Sequence, residues 1–199
     1  MISLNPEQMN ERELNRIMNG SILPRPIAFV STNSPEGVLN LAPFSYFNVV
    51  SSLPPLLSIS VLHADDHIKD TVNNIKANGE FVVHIVSEDI LNDVNETSIE
   101  LPPNRSELLH TRLTIMNSNV VKVQQIKESK VRIECVVEKI VPLPSSDLII
   151  GRVVHFNIDP SVLDEKGRIN LRALNPMSRL SGTQYGKIGE IISMERPKS

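Results

Sequence analysis

Residues 27–50, IAFVSTNSPEGVLNLAPFSYFNVV, decide the fold class. Two extended runs, IAFVST and VLNLAPFSYFNVV, flank Ser34-Pro35-Glu36-Gly37, where Pro presets φ and Gly tolerates a turn backbone, so the pair reads as a hairpin. A third strand is predicted at LLSISVL, residues 56–62, and a fourth at EFVVHIV, residues 80–86. Between them DDHIKDTVNNIKANG predicts a helix of about three turns. Ile68, Val72 and Ile75 recur there at i, i+4 and i+7, with Asp66 capping the start and Gly79 ending it.

Upstream, NPEQMNERELNRIMNG reads as one short helix, with Asn5 as N-cap, Pro6 at the first helical position and Gly20 just past the end. Its thin apolar face of Leu14, Ile17 and Met18 suits the edge of a sheet rather than a core. Downstream, SEDILNDVNETS predicts a short acidic helix leading into a loop around Pro102 and Pro103. The second half is strand-rich, with LTIMN, VVKVQQI, KVRIECVVEKIVPL and DLIIGRVVHFNID, the last two separated by a PSSD turn. Val131, Ile133, Cys135 and Val137 alternate with Arg132, Glu134 and Glu138, so one face is buried and the other wet or paired. Strands joined by tight turns, with only short helices inserted, predict a mainly β protein: a closed antiparallel barrel rather than a doubly wound sheet. At 199 residues the chain has room for one core, and residues 1–199 are expected to form a single domain.

Composition narrows the function. A 40% hydrophobic and 22% charged chain folds compactly, while 4% aromatic residues, no Trp and a net charge of -3 argue against nucleic acid. One Cys makes no internal disulfide, and no window approaches the ~20 apolar residues of a membrane helix. With no leader-like N-terminus, a soluble, cytoplasmic protein without membrane or nucleic-acid partners is expected. Charge is unevenly spread: residues 65–110 carry a balance of -7 and residues 165–199 one of +4, read either as two solvated faces or as an intersubunit or ligand feature.

There is no GxGxxG after a strand, no GxxxxGK[ST], no HExxH and no CxxC, which removes the common nucleotide and zinc patterns. His63 and His67 straddle the predicted helix start and read as a loop pair rather than a metal site, and Cys135 reads as a packed thiol. The second strand is unusual: Asn40, Pro43, Ser45, Tyr46, Phe47 and Asn48 set donors, acceptors and two rings into an apolar run. Two explanations stand side by side at this point. Polar groups among rings suit a flat heteroaromatic ligand, whose edge needs hydrogen bonds and whose faces need apolar cover. Equally, this is an edge strand with Pro43 marking a bulge.

Four segments together resemble the flavin reductase-like proteins of the FMN-binding split barrel, a family that includes flavoredoxins and the reductase components of two-component monooxygenases. They are PRPIAFVST (Pro24 to Thr32) with Gly37, NLAPFSYFNVVSSLPP (Asn40 to Pro55), KDTVNNIKANGEFVV (Lys69 to Val83) and RLSGTQY (Arg179 to Tyr185), and with the strands between them they span nearly the whole chain. The resemblance implies a Greek-key antiparallel split barrel, a homodimer, and FMN at the subunit interface. It makes Ser31, Thr32, Asn40, Ala42, Ser45 and Phe47 candidates for the isoalloxazine and ribityl contacts. Lys69 and Thr71 become candidates for the phosphate, where the first turn of a helix adds N–H donors and a positive dipole end. Asp70 is expected to cap or orient that turn.

Two positions depart from the family pattern: His84, where Asn is commoner, and Ser181-Gly182, where Gly-Gly is commoner. His84 is read as a satisfied strand histidine, or else as a contact for nicotinamide or the flavin edge. Arg179 and Tyr185 complete the candidate cofactor site, Arg179 meeting either a phosphate or the acidic stretch. The activity implied is that of an NAD(P)H:flavin oxidoreductase, with FMN as cofactor, NAD(P)H as co-substrate and a partner oxygenase or redox protein as a possible acceptor. No side chain is assigned as acid, base or nucleophile, because the cofactor carries the reaction. A flavoredoxin-like electron carrier and a flavin-binding or storage protein without turnover are the alternatives on the same fold.

Overall fold

The computed structural model describes residues 1–63 and 67–197. Its strands are β1 (Arg25–Pro26), β2 (Ala28–Asn33), β3 (Leu39–Phe44), β4 (Phe47–Ser52), β5 (Pro55–Leu62) and β6 (Glu80–Ile85) in the first half. They continue with β7 (Ile115–Met116), β8 (Gln125–Ile126), β9 (Val131–Leu143), β10 (Ser146–Ile158), β11 (Ser178–Arg179) and β12 (Tyr185–Gly186). The α-helices are α1 (Glu11–Ser21), α2 (Asp70–Asn78), α3 (Leu91–Glu96) and α4 (Leu171–Leu174). The protein is thus mainly β with short helices, as the strand pattern predicts.

One seven-stranded antiparallel sheet runs in the order β3-β2-β6-β9-β10-β5-β4. Its two edge strands, β3 and β4, are separated in sequence by Ser45 and Tyr46 alone. Three residue steps from Phe44 to Phe47 reach about 10 Å at full extension, so the sheet curls until its edges meet. The backbone bond from Ser60 N–H to the Tyr46 carbonyl, 2.8 Å, lies at that seam. Residues 38–50 are therefore two strands rather than the single strand predicted. β3 is an edge strand, as the second explanation required, but Pro43 stays in register opposite Phe29 without a bulge. At an edge its missing N–H removes no ladder bond.

Side chains alternate across the curled sheet. Val30, Ile59, Phe81, Ile133 and Ile149 point into the main core, which Val72 and Ile75 of α2 complete. Phe29, Leu41, Val94 and Ile126 build a second core on the outer side, beneath α3. β2 is covered on both faces, which explains why IAFVST reads as an unbroken apolar run.

Three other local expectations change. The opening segment is a 3₁₀ turn, Pro6–Gln8, capped by Asn5, followed by α1, whose own N-cap Asn10 makes a capping box with Glu13 and whose interior includes Gly20. The start signals at Asn5 and Pro6 serve the 3₁₀ turn alone, because Asn10 and Glu13 satisfy the orphan N–H groups of α1 better than Asn5 can at that distance, and Gly20 does not end the helix. α2 starts at Asp70, leaving Ile68 outside it, and the proposed cap Asp66 lies outside the described residues. Of VVKVQQI only Gln125 and Ile126 are strand. Val121 and Val123 are buried without a ladder because the Glu134 carboxylate accepts from Asn119, Val120 and Val121 N–H at 2.7 to 3.0 Å. Glu134 is itself fully buried, with Gln125 and Asn157 amides donating to it, so the second face of β9 is paired there rather than wet.

Candidate functional site

Where the sheet edges meet, the end of β3 forms the wall of two adjoining cavities of about 830 and 440 Å³. Pro43, Phe44 and Lys69 line both. The larger lies between α1, the link and the turn after β11, and the smaller between β3, the start of α2 and residues 97–107.

Helix α2 is set against this wall by side chains on its inner face. The Asn40 amide donates to the Thr71 hydroxyl at 2.9 Å, Asn74 donates to the Thr32 hydroxyl at 3.1 Å, and Asn78 donates to the Asn33 carbonyl at 2.6 Å. Gly79 ends the helix in the left-handed region at φ 71°, where its lack of Cβ avoids strain. At the other end Lys69 occupies the N-cap position, and its side chain makes no capping hydrogen bond to the first turn. Thr71 uses its oxygen lone pair on Asn40 and keeps its hydroxyl proton to donate. Asp70 sits in that first turn at the positive end of the helix dipole, as expected of an orienting residue.

The smaller cavity is acidic. Asp70, Glu100 and Glu107 line it together with Lys69. One Glu107 oxygen accepts from Leu41 N–H at 2.9 Å, yet burial outweighs that bond and pushes its carboxyl above the usual range.

The larger cavity is basic. Among the described residues Arg12, Arg16, Arg25, Lys69 and Arg179 line it with one carboxylate, Glu11. Arg25 is 8% exposed and donates to the carbonyls of Asn19, Ile22 and Leu180 at 2.8 to 2.9 Å. It thereby clamps the end of α1 to the turn after β11. The Arg179 guanidinium stacks 4.5 Å from the Tyr185 ring centroid, and the Tyr185 hydroxyl donates to Asn95 at 3.3 Å. Arg179 so packs on its own hairpin and forms no ion pair with the acidic stretch among the described residues.

The structure brings Asn40, Ala42, Lys69 and Thr71 to the smaller cavity, and Ser45, Lys69 and Arg179 to the larger. Ser31 and Thr32 line neither. Both are fully buried, Ser31 donating to the Gln124 carbonyl at 2.7 Å and Thr32 accepting from Asn74. Phe47 packs against the main core and Tyr185 against the outer one. His84 is fully buried, with Nδ1 bonded to the Phe29 carbonyl at 3.0 Å and Nε2 accepting from Ile126 N–H at 2.9 Å. This is the satisfied strand histidine, and burial lowers its pKa to about 4, so it is neutral at pH 7. His63 pairs with Asp147 at 2.9 Å, and no three His, Cys, Asp or Glu among the described residues are grouped to hold a metal. Cys135 is buried and burial pushes its thiol pKa upward, which leaves it unreactive. Sequence reasoning missed Arg12, Arg16, Arg25 and Glu107. The available signal was the placing of Arg12 and Arg16 four apart in a helix whose apolar face is thin.

Comparison with known proteins agrees with this architecture. A flavin reductase like domain is matched over residues 18–175. The protein YwrF of Bacillus subtilis is 46% identical, with 96% of this chain and 97% of that protein aligned. The crystal structure of nitrilotriacetate monooxygenase component B from Bacillus cereus superposes with a TM-score of 0.95 at 44% identity, covering 98% of both chains. That of 2-nitrobenzoate 2-nitroreductase from Pseudomonas fluorescens gives 0.90 at 27% identity, covering 98% of this chain and 96% of the other.

Proposed function

This chain belongs to the flavin reductase-like family, and from that premise we propose that it is an FMN-binding, NAD(P)H-dependent flavin reductase that passes reduced flavin or electrons to a partner or other acceptor. The observation that carries the reading is the wall between the two cavities, where the start of α2, Lys69 and, on the smaller cavity's side, the Thr71 hydroxyl meet Pro43 and Phe44, with Ser45 on the larger cavity's side. That donor set suits a phosphate next to a flat apolar surface, and the cavity volumes fall in the range of about 300 to 1,000 Å³ typical of cofactor sites.

In this reading Lys69 and Thr71 hold the phosphate, Asn40 and Ala42 flank the ribityl chain, and Ser45 and Arg179 face the ring. Ser31, Thr32, Phe47 and Tyr185 support from behind: the first two fix α2 and the 118–125 segment, and the last two hold the link and the β11–β12 hairpin. FMN, when bound, supplies the hydride-accepting and electron-passing chemistry. The protein's part is to orient that group, cover one face and set the local charge. The proposal extends to a single domain over residues 1–199, a homodimer with FMN between protomers, and a cytoplasmic setting. Component B of nitrilotriacetate monooxygenase, a relative named as one component of an oxygenase, supports a partner oxygenase as acceptor here.

The test is oxidation of NADH and of NADPH with and without added FMN, alongside a flavin fluorescence titration. Turnover that depends on FMN is expected. A protein that changes no flavin fluorescence and oxidises neither nicotinamide would reject the proposal.

A further inference from the structure

We propose that the basic groove between α1 and the turn after β11 docks the diphosphate of a dinucleotide, at a place distinct from the single-phosphate subsite at Lys69 and Thr71. Arg12 and Arg16 stand one turn apart on α1, about 6 Å along its axis, and both line the groove. Like charges at this spacing weaken an isolated helix. Neither is relieved by an ion pair among the described residues. Arg25 and Arg179 line the same cavity.

Arg25 makes the strongest argument for an anion. It is buried, and its partners among the described residues are three carbonyls and the Ser45 hydroxyl at 3.5 Å, all neutral, so none of them compensates its positive charge where water screens poorly. Among the described residues Glu11 is the single carboxylate against five cations in this cavity, whereas Asp70, Glu100 and Glu107 stand beside Lys69 in the neighbouring one. Two guanidinium forks on one helix, with a third lining the same cavity, match two adjacent phosphate groups better than one. Asn15, Asn19 and Ser181 add neutral groups suited to sugar hydroxyls. At about 830 Å³ the groove exceeds what a bare diphosphate fills, and it continues to the Pro43–Tyr46 wall, where a ring on the same ligand would arrive.

An ADP-bearing dinucleotide has this chemistry, and either a nicotinamide dinucleotide or FAD supplies it. Naming those two sources rests on the flavin reductase reading, whereas the diphosphate site does not. The purified protein as isolated is titrated with ADP and with AMP by calorimetry at low salt. ADP is expected to bind at least tenfold more tightly than AMP, and the Arg12→Gln/Arg16→Gln variant is expected to lose about ten- to hundredfold of the ADP affinity. α1 buries no residue, so this variant should keep the wild-type melting temperature and is the one used for the KM and flavin measurements, whereas Arg179→Gln, which also touches the proposed flavin site, is read by ADP affinity alone.

ADP that does not bind, or binds the variants as well as wild type, overturns the proposal. The KM for reduced nicotinamide dinucleotide rising tenfold, with that for reduced nicotinamide mononucleotide unchanged, identifies the nicotinamide source. Loss of FAD affinity alone, with FMN affinity unchanged, identifies FAD. If a protein that takes up no FMN still binds ADP through Arg12 and Arg16, the reductase reading fails and the diphosphate site stands.

Discussion

Lys69 is the cation on the wall that both cavities share, and it carries the plainest test of the proposed flavin site. Replacing Lys69 with Ala removes a charge-assisted bond to the phosphate, worth roughly 1.5 to 3 kcal/mol, so FMN affinity should fall about ten- to hundredfold. Riboflavin lacks the phosphate and should bind wild type and variant alike; equal losses for both ligands in a fluorescence titration would reject Lys69 as the anchor. His84 gives a residue-scale prediction of a different kind. Its pKa drops from 6.5 to about 4 on folding, so below pH 6.5 the unfolded chain takes up a proton that the folded chain refuses. Its contribution is complete above pH 6.5 and falls by roughly 3 kcal/mol as pH drops to 4, which urea midpoints measured across that window should show and a His84→Gln variant should flatten. Residue identity foretold the satisfied histidine, and its flavin candidates Asn40, Lys69 and Thr71 lie on the smaller cavity. It did not foretell that Ser31 and Thr32 face Gln124 and Asn74, because a hydroxyl at the end of an apolar run looks the same whether it bonds a ligand or the backbone of a distant loop.

At the scale of elements, what was legible is what local chemistry determines. Gly79 as the stop of α2, the β9–β10 hairpin and the antiparallel pairing follow from turn residues and alternation. The break between β3 and β4 was invisible because Ser45 and Tyr46 interrupt neither the alternation nor the β propensity; the change of direction belongs to the closing barrel. The order of residues 118–125 depends on Glu134, a partner far along the chain that no local window contains. Gly151 is another such case. A Cβ there would meet Phe81 Cζ at 2.4 Å and Cys135 Cβ at 3.4 Å, so β10 crosses the core only because it has no side chain at this register shift. Gly151→Ala should destabilise the protein by about 1 to 3 kcal/mol through overpacking, read as a lower urea midpoint at unchanged m. Adding Phe81→Leu should make the combined loss smaller than the sum of the single losses. Strict additivity would place the cost of the first substitution elsewhere.

Over the whole molecule, the mainly β architecture and the family resemblance were readable in the chain, but the mounting of α1 was not. This helix turns Arg12, Asn15, Arg16 and Asn19 toward the groove and leaves Ile17 and Met18 at 38% and 55% exposure on its outside. It is held that way by Arg25 on the Asn19 carbonyl and by the Tyr46 hydroxyl donating to the Asn19 side chain at 3.0 Å. Val49, Val50 and Leu53, on and just after edge strand β4, are exposed as well. The proposed homodimer is an occupant that accounts for both. If it forms there, sedimentation should show a dimer that persists on dilution, with an interface above ~1,000 Å². Charge placed in its centre should then be costly: Val50→Glu with Leu53→Glu should shift the protein to monomer while its circular dichroism stays that of wild type, since both side chains are exposed in the single chain. FMN affinity should fall in step with the dimer, because a site between protomers loses half its walls. A monomeric variant that binds FMN as tightly as wild type would put the flavin site within one chain and remove the interface from the proposal.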